Sequence, residues 1–157
     1  MTIRNTAVPA SYLILKRGNE VLLGRRQGSG YYDGWYSVPA GHVEEGELPV
    51  DCLIREIKEE VGIGLYKEHI SLCHTMYRTK KDETGDRADY FFVTDVWRGE
   101  PRICEPDKCD DLSWFPITQL PENMMHHVKG AIEYAEDGIL YSEWGADRVV
   151  ENPTEHL

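Results

Sequence analysis

The chain has 157 residues, 41% of them hydrophobic and 29% charged, which is the composition of an ordinary globular domain able to bury a core without staples. Its formal net charge of −11 at pH 7 argues against a nucleic-acid surface, which needs a basic patch, and means that any polyanionic ligand requires a bridging divalent metal. No apolar segment approaches the roughly 20 residues of a membrane span, and the N-terminal MTIRNTAVPASYLILKRG does not read as a signal peptide. Cys52, Cys73, Cys104 and Cys109 form no CxxC pair, so they are expected to be reduced thiols in a cytoplasmic protein rather than disulfides or a zinc site.

Taken in chain order, residues 6–16 (TAVPASYLILK) and 20–26 (EVLLGRR) are β-prone apolar runs, and Arg17-Gly18-Asn19 joins them as a hairpin. Gln27 to Gly34 (QGSGYYDG) reads as a loop, and Trp35 to Pro39 as a short strand. The next helix spans Pro49 to Val61, with Pro49 in the first turn, Asp51 at the positive end of the dipole and Gly62 as the stop. Ser71 to Arg78 and Ala88 to Trp97 are two further strands, with the polar TKKDETGDR as an exposed connection between them. A last short strand is expected at Leu112 to Phe115. Asn123 to Glu136 shows helical spacing through Met124, Val128, Ile132 and Ala135, with Asn123 as its N-cap. His126 and His127 read as helix-surface residues, and the stretch after Gly145 as a loosely held tail.

The segment Gly41 to Ile63, GHVEEGELPVDCLIREIKEEVGI, packs seven carboxylates into twenty-three residues against the fixed charges of Arg55 and Lys58 alone. Like charges at i,i+4 weaken a helix, so such crowding needs a use. At about 100° per residue, Val50, Leu53, Ile54, Ile57 and Val61 share one face, while Glu56, Glu59 and Glu60 fall within a separate arc of about 100°. A solvated acidic face is the plain alternative. The Gly-punctuated approach through Gly41 and Gly46 favours a metal instead, because it brings a backbone carbonyl near the same point. Hard cations such as Mg²⁺ take carboxylate, carbonyl, water and phosphate oxygens.

The segment resembles the Nudix box, G-x5-E-x7-R-E-U-x-E-E-x-G-U with U a bulky aliphatic residue. Gly41, Glu47, Arg55, Glu56, Ile57, Glu59, Glu60, Gly62 and Ile63 fill every specified position. WYSVPAGHVEEGE and SWFP also resemble the family's strand and loop before the box and its late strand. The likeness covers about residues 5–136, within a single domain of residues 1–157. Ala40 stands where many members have a second Gly.

This resemblance implies an α/β/α sandwich with a mixed β-sheet and hydrolysis of a nucleoside diphosphate linked to another moiety. Mg²⁺, for which Mn²⁺ substitutes, is the implied cofactor. Glu59 and Glu60 are the expected metal ligands, with the Gly41 carbonyl beside them and Glu56 as a further ligand or the base. Arg55 is expected to orient a box carboxylate and Glu47 to hold Arg55. Outside the box, Glu105 in GEPRICEPDKCDD resembles the later-loop acid of the MutT-like branch, with Asp107, Asp110 and Asp111 behind it. Arg26 resembles that branch's phosphate-side arginine.

For the base, the aromatic loop with Tyr31, Tyr32, Trp35 and Tyr36 suits stacking, with Tyr32 and Trp35 as first choices. Asn123 lies near the branch's purine-reading Asn. The expected substrate is a small nucleotide, first a (deoxy)nucleoside triphosphate with oxidised ones among the candidates, cleaved to the monophosphate and pyrophosphate. ADP-ribose, another nucleotide sugar or a dinucleoside polyphosphate is the alternative, and an inactive nucleotide-sensing module a third. No nucleic-acid or membrane partner is expected, and the chain is read as a monomer or homodimer.

Overall fold

The computed structural model describes residues 2–79 and 84–145, and the backbone of residues 149 and 150. In order, the elements are β1 (Ala7–Arg17), β2 (Glu20–Arg26), β3 (Tyr36–Ser37), β4 (Ala40–His42), α1 (Pro49–Val61), β5 (Gly64–Leu65), β6 (Ser71–Arg78) and β7 (Asp86–Thr94). They continue with β8 (Trp97–Arg98), β9 (Cys109–Pro116), α2 (His126–Glu136), β10 (Tyr141–Trp144) and β11 (Val149–Val150).

β1 is the hub of a mixed sheet. It runs parallel to β7 from Ala7 opposite Asp86 to Leu15 opposite Thr94, and antiparallel to β4 through Ala10 to Tyr12. Its last two residues turn away to pair with β2, which in turn holds β3 and β9. Because β1 is covered on both faces, its apolar run is continuous rather than alternating. Leu13 and Leu15 join Leu53, Ile57 and Val61 of α1, whereas Tyr12 and Ile14 join Val128, Ala131 and Ile132 of α2. The sheet is therefore sandwiched between the two helices in the expected α/β/α order.

Helix α1 has its expected bounds, and Gly62 ends it in the left-handed conformation at φ 75°. Cys52 is buried with Leu53, Ile57 and Val61, while Val50 and Ile54 are only half-buried. Several sequence expectations are corrected. α2 begins at His126, three residues later than expected, and Met125 precedes it with no side-chain cap. Asn123 does not cap; its Nδ2 donates to the Gly34 carbonyl at 2.9 Å. His127 is buried rather than on the surface, packed edge-on to Tyr12 and Trp144.

The last predicted strand grows to eight residues as β9 because it pairs along all of β2. The strand expected to end at Trp97 breaks after Thr94, and Trp97–Arg98 pairs separately with β5. The parallel strand β10, beside β6, was not expected from the sequence. Part of the TKKDETGDR connection, residues 80–83, lies outside the described residues. So does most of the expected loose tail, of which Val149–Val150 pairs with β10.

Candidate active site

A cleft of about 560 Å³ opens where β2, β3 and β9 splay away from β1 and β4. Its walls include Gly41, Glu60 and Glu105 at one end and Tyr12, Arg78 and Arg87 among the strand residues of the central sheet.

The acidic end is built around α1 and β4. An ideal Cβ on Gly41 would lie 2.2 Å from the Glu56 carboxyl carbon, so only glycine lets the β4 backbone pass this close to the helix. The Gly41 carbonyl accepts a long hydrogen bond from the buried Cys52 thiol at 3.6 Å, and burial pushes that thiol up to about 11. Arg55 organises the carboxylates beside it. Its Nε and Nη2 donate to the two Glu47 oxygens at 2.8 and 3.0 Å, and its Nη1 donates to Glu56 at 2.8 Å. The Glu47 carboxyl is held down at about 2, chiefly by the hydrogen bonds from Arg55, with the Glu44 N–H adding to them. This bidentate fork is a fixed bracket rather than a loose surface pair.

The three box glutamates do not share one environment. The Glu59 side chain is 55% exposed and pairs with Arg55 at 3.5 Å, while the Glu56 side chain is 18% exposed. Glu60 lies deepest. Its carboxyl is pushed up to about 8, first by burial, then by the charge of Glu56, with which it hydrogen-bonds, and by the charge of Glu105. The N–H of Ala40 opposes this shift only in part.

Glu105 arrives from a loop docked on the end of α1. The Arg102 N–H donates to the Val61 carbonyl at 3.0 Å and the Cys104 N–H to the Glu60 carbonyl at 3.2 Å. A turn follows in which the N–H groups of Lys108 and Cys109 both reach the Glu105 carbonyl. Glu56, Glu60 and Glu105 thus meet beside Gly41. Glu59 stands outside this group, and Asp110 and Asp111 are engaged elsewhere. Asp110 pairs with Arg25 at 2.7 Å, and Asp111 accepts a hydrogen bond from the Tyr36 hydroxyl. Asp107 lines the cleft.

Among the described residues no three His, Cys, Asp or Glu side chains are grouped closely enough, as they stand, to hold a metal ion. The donor set nevertheless fits a hard divalent cation. Two carboxylates crowd a desolvated third that keeps a proton for want of positive charge, and a backbone carbonyl lies alongside.

Across the cleft, Arg26 lies against the aromatic loop. Its Nε donates to the Tyr31 carbonyl at 2.9 Å, and its guanidinium carbon stands 5.6 Å from the Tyr31 ring centre. Asp33 fixes the loop by accepting from the Ser29 hydroxyl at 2.7 Å and the Gly30 N–H at 2.9 Å. Tyr31 is the aromatic of this loop that lines the cleft. Tyr32, at φ 54°, packs edge-on to Trp35, and Trp35 packs on His126, so both lie on the far side of the loop with Asn123. Tyr36 is buried in the core. Arg26 therefore lines the cleft, whereas Tyr32, Trp35 and Asn123 are not among its lining residues. Arg78, Arg87 and the buried Asp89 were not singled out from the sequence. The available signal was a set of charged residues at strand positions whose alternation places them on the core face of β6 and β7.

A family model described as NUDIX domain matches residues 6–135. The chain belongs to the Nudix family. Among its relatives, the NAD-capped RNA hydrolases NudC of Pseudomonas fluorescens (strain Pf0-1) and Pseudomonas putida (strain GB-1) are 34% and 32% identical over 119 residues. The match takes in 72% of this chain but 38% of the length of each of those relatives. The MutT NUDIX hydrolase of Burkholderia pseudomallei superposes with a TM-score of 0.74 at 26% identity, covering 82% of this chain and 97% of that one. The NUDIX domain of Shewanella oneidensis NrtR, solved with ADP ribose, shares the fold with a TM-score of 0.66 at 17% identity, over 85% of this chain and 89% of that one. The Nudix box is thus the segment that forms β4, α1 and the bracket around Arg55. No helix among the described residues is long and apolar enough to cross a membrane.

Proposed function

We propose that the chain hydrolyses the diphosphate linkage of a nucleoside diphosphate derivative with Mg²⁺. The carrying observation is the convergence of Glu56, Glu60 and Glu105 beside Gly41, where burial and the neighbouring carboxylates push the Glu60 carboxyl up to about 8. Glu56, Glu60 and the Gly41 carbonyl would hold the metal, with Glu105 beside them; Glu59, the other expected ligand, would hold Arg55 from outside. The bound metal would neutralise charge growing on the phosphate oxygens and acidify the attacking water. Arg55 keeps Glu56 aimed at the site, and Glu47 keeps Arg55 in place through two hydrogen bonds. Arg26 and Lys108 offer positive charge to the phosphates from the cleft wall. Tyr31 offers a ring face to the base.

The Glu105 side chain is 34% exposed and lies outside the Arg55 bracket, which leaves it accessible to take the proton of the attacking water. Glu105→Gln is expected to lower kcat by about 100-fold or more, the usual contribution of a general base, with a melting temperature near wild type. Activity within twofold of wild type would return Glu105 to the role of a solvated loop acid.

Triphosphates are the first substrates to assay. The NudC relatives favour a second reading, in which two nucleosides joined by a diphosphate, as in NAD, are cleaved. A panel of nucleoside triphosphates, ADP-ribose and NAD, assayed for phosphate, pyrophosphate and monophosphate release, separates the two. Turnover is expected to need Mg²⁺ or Mn²⁺ and to fall to background with chelator; undiminished hydrolysis in excess chelator rejects the mechanism.

A further inference from the structure

The wall of the cleft formed by β6 and β7 carries a charge arrangement that the carboxylate end does not use. The two strands pair with Arg78 directly opposite Arg87, and both residues line the cleft. Like charges facing each other across an antiparallel pair are destabilising, so this placement asks for a counter-charge. Asp89, fully buried on the same face of β7, answers one of the two. It accepts from Arg78 Nε at 2.6 Å and Nη2 at 3.4 Å, and Nη2 also reaches the Tyr12 hydroxyl at 3.4 Å.

Arg87 has no carboxylate partner among the described residues. Its Nη1 donates to the carbonyls of Thr84, Gly85 and Asp86 at 3.1, 2.7 and 3.2 Å, and its Nη2 to the Thr84 hydroxyl at 3.1 Å. Both guanidiniums are therefore held in position by neutral or buried groups. Among the described residues Asp89 is the carboxylate that faces them, pairing with Arg78 and feeling the charge of Arg87, so two guanidiniums share one carboxylate. In the sheet β1 lies between β4, which carries Gly41, and β7, and its Ala10 and Tyr12 line the cleft together with Val38, Met125 and Tyr31. The strand order thus sets Gly41 on one side of β1 and the two guanidiniums on the other, with the apolar and aromatic β1 residues between them.

We propose that Arg78 and Arg87 form a second anion subsite, which takes a phosphate carried on the ribose of the nucleotide whose diphosphate lies at the carboxylate end. The order of chemistries matches diphosphate, nucleoside and second phosphate, and paired guanidiniums suit phosphate oxygens. The assignment of the diphosphate end rests on the proposed hydrolase reading. The second phosphate is either a monoester at the 2′ or 3′ position of a free nucleotide, or the 3′ diester at the 5′ end of an RNA.

Calorimetric titration of the full chain in the presence of Mg²⁺ with AMP, adenosine 2′,5′-bisphosphate, adenosine 3′,5′-bisphosphate and the dinucleotide pApA, none of which carries a diphosphate linkage to cleave, tests the subsite without turnover. At least one of the last three is expected to bind about tenfold more tightly than AMP, the usual worth of one charge-assisted contact. Preference for a bisphosphate alone assigns a monoester; a preference that extends to pApA assigns an RNA end. Arg87→Gln, which leaves the Arg78–Asp89 pair intact, is expected to cut the preference below threefold and to leave AMP binding within twofold of wild type. Equal binding of all four by wild type, binding of none, or a preference that survives Arg87→Gln overturns the subsite. Loss of the hydrolase reading shows separately, as absence of metal-dependent turnover across the diphosphate panel.

Discussion

Glu60→Gln is expected to reduce turnover by at least about 100-fold, since even partners outside the ligand set of a metal site cost about 10- to 100-fold. The same substitution is expected to change how stability follows pH. The Glu60 carboxyl titrates near 8 in the folded chain and near 4.5 when unperturbed. Its folded value is raised, so the native state holds a proton that the unfolded chain releases between those values. The stability it contributes is complete below about pH 4.5 and declines as pH rises towards 8.

A metal-free Gln variant has no such proton to lose. Its melting temperature is expected to match wild type near pH 5 and to exceed it near pH 8. Mg²⁺ requires the deprotonated carboxylate, so it is expected to stabilise wild type more at pH 8 than at pH 5 and the variant little at either. Thermal melts of both proteins over this range, with Mg²⁺ and with chelator, read all of these effects. Parallel pH curves for the two proteins, or full activity in the variant, would remove Glu60 from the metal site.

Gly41→Ala carries the second large effect. The new methyl would stand 2.2 Å from the Glu56 carboxyl carbon and 2.6 Å from its Oε1, so Glu56 must leave its place beside Glu60 and break its bond to Arg55. Turnover is expected to fall by about 100-fold, while overpacking lowers stability by about 1–3 kcal/mol. Gly46→Ala is the control. Gly46 also lies in the box loop, at φ 78°, but a methyl there meets nothing within 4 Å. It is expected to cost about 1 kcal/mol of backbone strain and to leave turnover within twofold. Kinetics and melts of the two variants separate displacement of Glu56 from general loosening of the loop. Equal activity losses in both would show that Gly41 serves only the turn.

Much of the acidic end is legible in the amino-acid sequence. The bounds of α1, its apolar stripe and the Glu47–Arg55 bracket depend on spacing within one helix and the loop that enters it. Helix geometry is local: each backbone bond spans four residues, so 100° steps place side chains without reference to the rest of the chain. The same arithmetic sets Glu56, Glu59 and Glu60 in one arc, and there its reach ends. Which carboxylate turns inward is decided by Arg55, which holds Glu59 towards solvent, and by β4 and the Glu105 loop, which bury Glu60.

The other end of the cleft has no local signature. β1 pairs with β7 some eighty residues later, and Arg78 meets Arg87 through strand register, which depends on how the whole sheet assembles. The aromatic loop makes the same point on a smaller scale. Four rings lie close together in sequence, but the hydrogen bonds of Asp33 and the contact of Trp35 with His126 send only Tyr31 into the cleft. His127 goes the same way: it reads as surface from its neighbour, yet Tyr12 and Trp144 bury it. The sequence by itself determined the box helix and the spacing of its carboxylates, because those rest on short-range geometry. Tertiary structure decided which carboxylates crowd together and which cations line the same cleft, because long-range strand pairing and loop docking set those distances.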